Sequence, residues 1–362
     1  MIIRHKKRIS KRLIEWFKNN KRPLPWRNRS TWYDIWISEV MLQQTQVKQA
    51  IPYYHRFKKH FPNVSELAKA SQEYVLKIWE GLGYYSRARN LHLAAQIIVN
   101  QYRGQIPQDK NELIKLPGFG PYTTNAVLSL AFNKPYAVVD GNVQRVIARL
   151  FLITDDIRQT QTLKQINYLV GELISLRSPA VFNEAVMELG ATICTPDQPL
   201  CASCPINDYC LAFKKDYAQC LPFKSRLKAK PHIRAHTFII DKCGKYLLAK
   251  RPQNGLLAGL WEFPTYGLNR NHDNMNITPH SSLKKIGISA KYVKSWGEIR
   301  HSYTHFHVYL IPHLFRYNGY TSRIEFYTRY KWLDFNLINE YPLHKVMLKT
   351  MEMIKNELKI IS

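Results

Sequence analysis

The chain is poor in acid: its 362 residues carry 26 Asp+Glu against 53 Lys+Arg, a formal charge of +27 at pH 7 with a pI near 9.8. Such an excess points toward a polyanion, nucleic acid above all, although a basic bias shared by a whole proteome gives the same number. Long apolar runs are missing as well. None approaches the roughly 18 residues needed to cross a bilayer, and the basic start from Met1 to Arg8 is followed by no signal-peptide core. The expectation is a soluble protein of the cytoplasm or nucleoid, with no membrane partner, acting as a monomer. Internal repeats and low-complexity tracts are absent. With 45% hydrophobic and only 22% charged residues, the chain is globular rather than disordered or fibrous. Cysteine is scarce too: of six, four fall between Cys194 and Cys210. In a reducing compartment that clustering reads as metal binding, not as a disulfide framework.

The length suits two domains. Residues 1–220 read as all-α, with apolar residues at helical spacing in Leu13, Ile14, Trp16 and Phe17, in Leu91 to Ile98, and in Val143, Val146, Ile147 and Leu150. Residues 221–231, with Lys224, Arg226, Lys228 and Lys230 between two prolines, suit an extended basic linker. Residues 232–362 read as α+β. Strands are expected at Ala235–Ile240 and Lys245–Lys250 around an Asp241–Gly244 turn, near Lys291–Gly297 and at Thr304–Pro312, with a last helix over Leu343–Leu358. The surplus charge is shared: 30 Lys+Arg against 17 Asp+Glu give +13 in residues 1–220, and 23 against 9 give +14 in residues 221–362.

Three features carry chemistry. Cys194, Cys201, Cys204 and Cys210 form C-x6-C-x2-C-x5-C. Four soft ligands so close suit an iron–sulfur cluster or a tetrahedral zinc, and the asymmetric spacing, with a single C-x2-C pair, favours one [4Fe-4S] cluster. The loop Leu116-Pro117-Gly118-Phe119-Gly120-Pro121 lies between two helical patterns. Its glycines allow positive φ and close approach, so it reads either as a phosphate-binding hairpin at a helix start or as a tight helix–helix turn with Pro121 at the first helical position. Glu39 sits in a helical stretch from about Thr31 to Gln49, one turn from Ile35, Trp36, Leu42 and Gln43. An apolar setting raises a carboxyl pKa, as a general acid requires, though a lone helical Glu is also an ordinary structural residue. Asp140 ends Ala137-Val138-Val139 where a helix begins. It reads as an N-cap that stays ionised, able to stabilise a developing cation. Two carboxyls in unlike surroundings are the ingredients of glycosidic-bond hydrolysis.

Together these motifs resemble the endonuclease III (helix-hairpin-helix) superfamily of base-excision DNA glycosylases. Within it, Leu24-Pro25-Trp26-Arg27, the run from Ser38 to Val47 and Val139-Asp140-Gly141-Asn142-Val143 are similar to the MutY-type adenine DNA glycosylase family, over about residues 8–215 and more weakly beyond. The resemblance implies that Glu39 protonates adenine, Asp140 stabilises the sugar cation, and Tyr122 and Asn142 support the reacting centre. It places Arg22, Trp26, Arg27 and Glu184 at the adenine pocket. Gln44, Thr45, Leu82 and Tyr84 match the wedge and 8-oxoguanine contacts, and Gly118 and Gly120 the hairpin that holds duplex DNA. Bifunctional relatives carry a Schiff-base lysine where Tyr122 stands, and a phenol forms no imine, so the implied enzyme is monofunctional.

The same resemblance implies that residues 232–362 form a Nudix-like recognition domain. Tyr303, Thr304 and His305 stand where the family has a Phe-Ser-His loop reading 8-oxoguanine. The Glu-rich magnesium string of Nudix hydrolases does not occur in residues 221–362, so nucleotide hydrolysis is not expected. His301, His305 and His307 alternate, but without an acidic ligand nearby they are not read as a metal site. The reaction implied is hydrolytic removal of adenine opposite 8-oxoguanine or guanine in duplex DNA. The alternatives are a relative of other base specificity and a non-catalytic iron–sulfur DNA-binding protein.

Overall fold

The computed structural model describes residues 2–27, 31–268, 278–321 and 324–358. The chain groups into two compact units: Met1–Ala68 with Leu93–Leu227, and Lys69–His92 with Lys228–Ser362. The sequence reading kept residues 69–92 in the helical domain. Within the second unit they are held by bonds spanning well over a hundred residues: Tyr85 donates to the Leu343 carbonyl at 3.0 Å, Leu343 N–H to Glu80 at 2.7 Å, and the Trp261 indole to Glu73 at 2.7 Å. No local periodicity carries such information. Among the described residues no helix is long and apolar enough to cross a membrane.

The helices run α1 Lys6–Asn20, α2 Trp32–Leu42, α3 Val47–His60, α4 Val64–Lys69, α5 Gln72–Trp79, α6 Tyr85–Tyr102, α7 Lys110–Leu113, α8 Pro121–Leu130, α9 Gly141–Phe151, α10 Thr160–Leu173, α11 Pro179–Thr192 and α12 Leu211–Lys214. The one helix expected over Thr31–Gln49 is therefore two. A Thr31–Asp34 capping box starts α2, and the chain breaks at Gln43–Gln46, where Gln44 takes φ 56°. In the first unit the apolar stripes of α1, α9, α10 and α11 close on one core that includes Ile9, Leu13, Phe17, Val146, Ile147, Leu150, Val170, Phe182 and Leu189. The hairpin between α7 and α8 is pinned by Phe119, stacked on Trp36 of α2 at 5.3 Å.

The second unit carries β1 His232–Lys242, β2 Lys245–Lys250, β3 Trp261–Glu262, β4 Thr265–Tyr266, α13 Pro279–Lys285, β5 Ile288–Ser295, β6 Ile299–Ser302, β7 His307–Thr321, β8 Arg329–Asp334 and α14 Lys345–Leu358. The sheet order is β3-β2-β1-β7-β5, with β1 and β7 parallel, β4 on β1, β6 on β7 and β8 on β2. The expected strand at Thr304–Pro312 begins instead at His307. Residues 303–306 form the turn of a β6–β7 hairpin, closed by Tyr303 N–H to the Phe306 carbonyl at 2.9 Å. His305 sits on that turn and is exposed, so His301, His305 and His307 share no strand face. A buried carboxylate anchors this unit: Glu262 accepts from Arg251 at 2.7 Å and pairs with His344 at 2.8 Å.

Candidate active site

In the first unit a cavity of about 670 Å³ opens between α2, α8, the start of α9 and α11. Of the residues named from sequence it gathers Arg22, Trp26, Arg27, Glu39, Gln44, Thr45, Tyr122, Asp140, Asn142 and Glu184. They arrive from five separate stretches of chain, and no lysine is among the described lining residues.

Glu39 is 4% exposed, and Tyr122 donates its phenol proton to Oε2 at 2.7 Å. Burial pushes the carboxyl up; the Tyr122 hydrogen bond and Arg27 pull it down, Asp140 and Glu184 push it up, and the balance lies at about 7. A neutral Glu39 that accepts at Oε2 keeps its proton on Oε1. Asp140 is the N-cap of α9: Oδ1 accepts from the Val143 N–H at 2.7 Å and Oδ2 from the Asn142 amide at 3.0 Å. Burial raises its pKa also, but both oxygens are committed to donors that favour the anion.

Asn142 is itself fixed. Its amide oxygen accepts from Arg145 Nη2 at 2.8 Å, and Arg145 also donates to the carbonyls of Gly190 and Cys194, each at 2.7 Å. A Cβ on Gly190 would fall 2.6 Å from the Asn142 Cβ, so α11 and α9 touch there at backbone distance. One turn further along α9, Arg149 donates to Leu221, Thr195 and Pro196 carbonyls and to Cys194 Sγ at 3.3 Å. Arg145 and Arg149 were not singled out in the sequence. Their signal was two arginines on one face of a helix that is otherwise apolar beyond Gln144.

Glu188 was missed as well. It lies one turn beyond Glu184 on α11, is 1% exposed, and accepts from the Arg22 backbone N–H, from Arg22 Nε and Nη2, and from Arg27 Nη2. Among the described residues Glu184 accepts from Arg27 alone, at 3.2 Å.

Cys194, Cys201, Cys204 and Cys210 are all unbonded thiols. Burial raises Cys204 to about 12, and Cys194, Cys210 and Cys201 lie near enough to add to the rise. Among the described residues no three donors are gathered closely enough for a single ion. Four thiols within one loop are a soft donor set of the kind that holds an iron–sulfur cluster or a zinc ion.

The hairpin differs in one respect from expectation. Gly118 takes φ 80°, as only glycine does readily, but Gly120 is extended at φ −76° as the N-cap of α8. A Cβ on Gly120 would meet nothing within 4 Å. The remaining named residues belong to the second unit. Tyr84, at φ 49° and 42% exposed, accepts a hydrogen bond from Thr304 Oγ1 at 2.7 Å. Tyr303 is half-buried and His305 exposed on the same turn. Leu82 is 5% exposed and packs inward, so the structure does not bring it to the surface beside Tyr84.

Residues 37–172 match the HhH-GPD superfamily of base excision DNA repair proteins, and residues 235–353 match a NUDIX domain. An adenine DNA glycosylase of Buchnera aphidicola subsp. Schizaphis graminum is 30% identical over 350 residues, covering 96% of this chain and 99% of the relative. The Arabidopsis thaliana adenine DNA glycosylase is 36% identical over 81% of this chain, which spans only 54% of that longer protein. The solved structure of a thermostable thymine-DNA glycosylase is 28% identical, with a TM-score of 0.53, over 59% of this chain and 98% of the other.

Proposed function

The chain belongs to the adenine DNA glycosylase family of base-excision repair proteins, and from that premise we propose that it removes adenine opposite 8-oxoguanine or guanine from duplex DNA by hydrolysis alone. The observation that carries this reading is the pairing, in one cavity, of a protonated Glu39 with an Asp140 whose two oxygens are tied to donors. Glu39 gives its Oε1 proton to the leaving base, which has been turned out of the helix stack. Tyr122 steadies the Oε2 that remains. Positive charge then develops on the sugar, and the Asp140 carboxylate, aimed by Val143 and Asn142, offsets it until water adds. Glu39, now ionised, takes the proton from that water.

Trp26, Arg22, Arg27 and Glu184 supply the stacking face and the donors and acceptors for the base edge. Gly120 is exposed and a Cβ there would meet nothing within 4 Å, so the start of α8 leaves room for a DNA phosphate. Gln44 and Tyr84 both hold left-handed backbone conformations, a cost that residues making functional contacts often carry; Gln44 with Thr45 in the first unit, and Tyr84 with Tyr303, Thr304 and His305 in the second, are the proposed DNA contacts of each unit. Cys194, Cys201, Cys204 and Cys210 would hold one [4Fe-4S] cluster; when bound, it supplies cross-links that fix the 194–210 loop.

A duplex panel tests the reading. Adenine opposite 8-oxoguanine, adenine opposite guanine and thymine opposite guanine are incubated with the purified chain, with and without alkali. Release from the two adenine duplexes, with strand breaks appearing only after alkali, is expected. Thymine release alone would assign the chain to another specificity, and breaks without alkali would contradict the hydrolytic mechanism.

A further inference from the structure

Two guanidiniums line the cavity, and a single carboxylate holds both. Glu188 Oε1 accepts from the Arg22 backbone N–H at 3.0 Å and from Arg22 Nε at 2.7 Å, while Oε2 accepts from Arg22 Nη2 at 2.9 Å and Arg27 Nη2 at 3.0 Å. Such a fork on a carboxylate that is 1% exposed allows Arg22 one orientation, and the bond to Oε2 ties Arg27 to it. Arg27 also donates to Glu184 at 3.2 Å and to the Arg22 carbonyl at 3.2 Å, so the whole arrangement turns on the oxygens of Glu188.

We infer that Glu188 is a positioning residue: it fixes Arg22 and Arg27 as one clamp on the edge of the extruded base and sets the charge that Glu39 faces. This inference rests on the proposed role of Glu39 as the acid. Glu39 is faced by Tyr122 from α8, by Asp140 at the start of α9, by Glu184 from α11 and by Arg27 from the segment after α1. Of these only Arg27 is a cation. Burial alone would push the Glu188 carboxyl up, but the hydrogen bonds from Arg22 and Arg27 outweigh it and hold it at about 2, so Glu188 is an anion at every working pH. A permanent anion on Arg27 offsets the guanidinium charge and leaves Glu39 able to keep its proton near neutrality. Without it Arg27 acts on Glu39 undiminished and favours the carboxylate.

The test is the pH profile of single-turnover adenine release from the duplex with 8-oxoguanine, using the full chain. In wild type the rate falls at high pH as Glu39 ionises. For Glu188→Gln the midpoint of that fall is expected to move down by about one pH unit, leaving the rate at pH 7 roughly fivefold below wild type. Glu188→Asp keeps the charge but is too short to reach both arginines, so its midpoint stays in place while its rate drops at every pH. A Glu188→Gln protein that is slower at all pH values with an unmoved midpoint would overturn the inference, because a merely structural carboxylate predicts that. Should Glu188→Gln fail to fold, Arg22→Gln, which leaves Glu188 its Arg27 partner, must move the midpoint upward; no movement overturns the inference equally. Wild-type protein that releases no adenine, or Glu39→Gln that still does, would instead sink the proposed function.

Discussion

Glu39 and Asp140 are both carboxyls in one cavity, yet their partners set them apart. Burial raises both, Glu39 to about 7 against a single neutral phenol donor, whereas at Asp140 a backbone N–H at a helix start and an amide both work against the rise and favour the anion. This division was legible from sequence: the apolar neighbours of Glu39 and the position of Asp140 before a helix are local facts. Glu188 was not legible, because nothing in Met187-Glu188-Leu189 reveals that two arginines more than 150 residues earlier converge on it. The raised Glu39 pKa makes a prediction about stability. An unfolded Glu binds no proton above about pH 5, but the folded one does until about pH 7, so the contribution from this group is fully present at low pH and is lost as pH rises through 7. Glu39→Gln carries no such cost. Its melting temperature is expected to exceed that of wild type at pH 8 by an amount worth roughly 2–3 kcal/mol, with the gap closing near pH 5. Thermal melts of both proteins at the two pH values check this, and an equal gap at both would contradict the assignment of the buried proton.

At the scale of elements, α9 does several jobs at once. Its N-cap is Asp140, its first turn holds Asn142, its second turn carries Arg145, and Arg149 reaches the Cys194 sulfur and the carbonyls after it. The cysteine loop and the Asp140 carboxylate are therefore positioned by one rigid rod. The start of this helix was visible in the sequence, as was the hairpin before α8. The break between α2 and α3 was not, because Gln43-Gln44-Thr45 contains no Gly or Pro and the turn there is imposed by tertiary packing, with Gln44 forced to positive φ. The contact of α9 with α11 gives a test. Gly190→Ala places a methyl against Asn142 and must separate the two helices, at a cost of about 1–3 kcal/mol. The expected result is a melting temperature lowered by several degrees, together with slower adenine release and unchanged duplex binding. Normal release with the same loss of stability would detach Asn142 from the chemistry.

For the molecule as a whole, the excess of basic residues is nearly equal in the two halves of the sequence, +13 and +14, which suits two halves that both meet a polyanion. The charge says nothing of the reaction. The α+β character of the second half was readable from its alternating strands and turns. The inclusion of residues 69–92 in that unit was not, nor was the bond from Thr304 to Tyr84 that ties the β6–β7 turn to the loop before α6. Both depend on contacts between residues far apart in sequence. The central claim is that Glu39 supplies the proton that frees adenine. Its most direct test is single-turnover release of adenine from the duplex with 8-oxoguanine by Glu39→Gln beside wild type, with duplex affinity measured on the same preparations. The prediction is loss of release with affinity retained within about threefold; Glu39→Gln releasing adenine at a rate near that of wild type would contradict it.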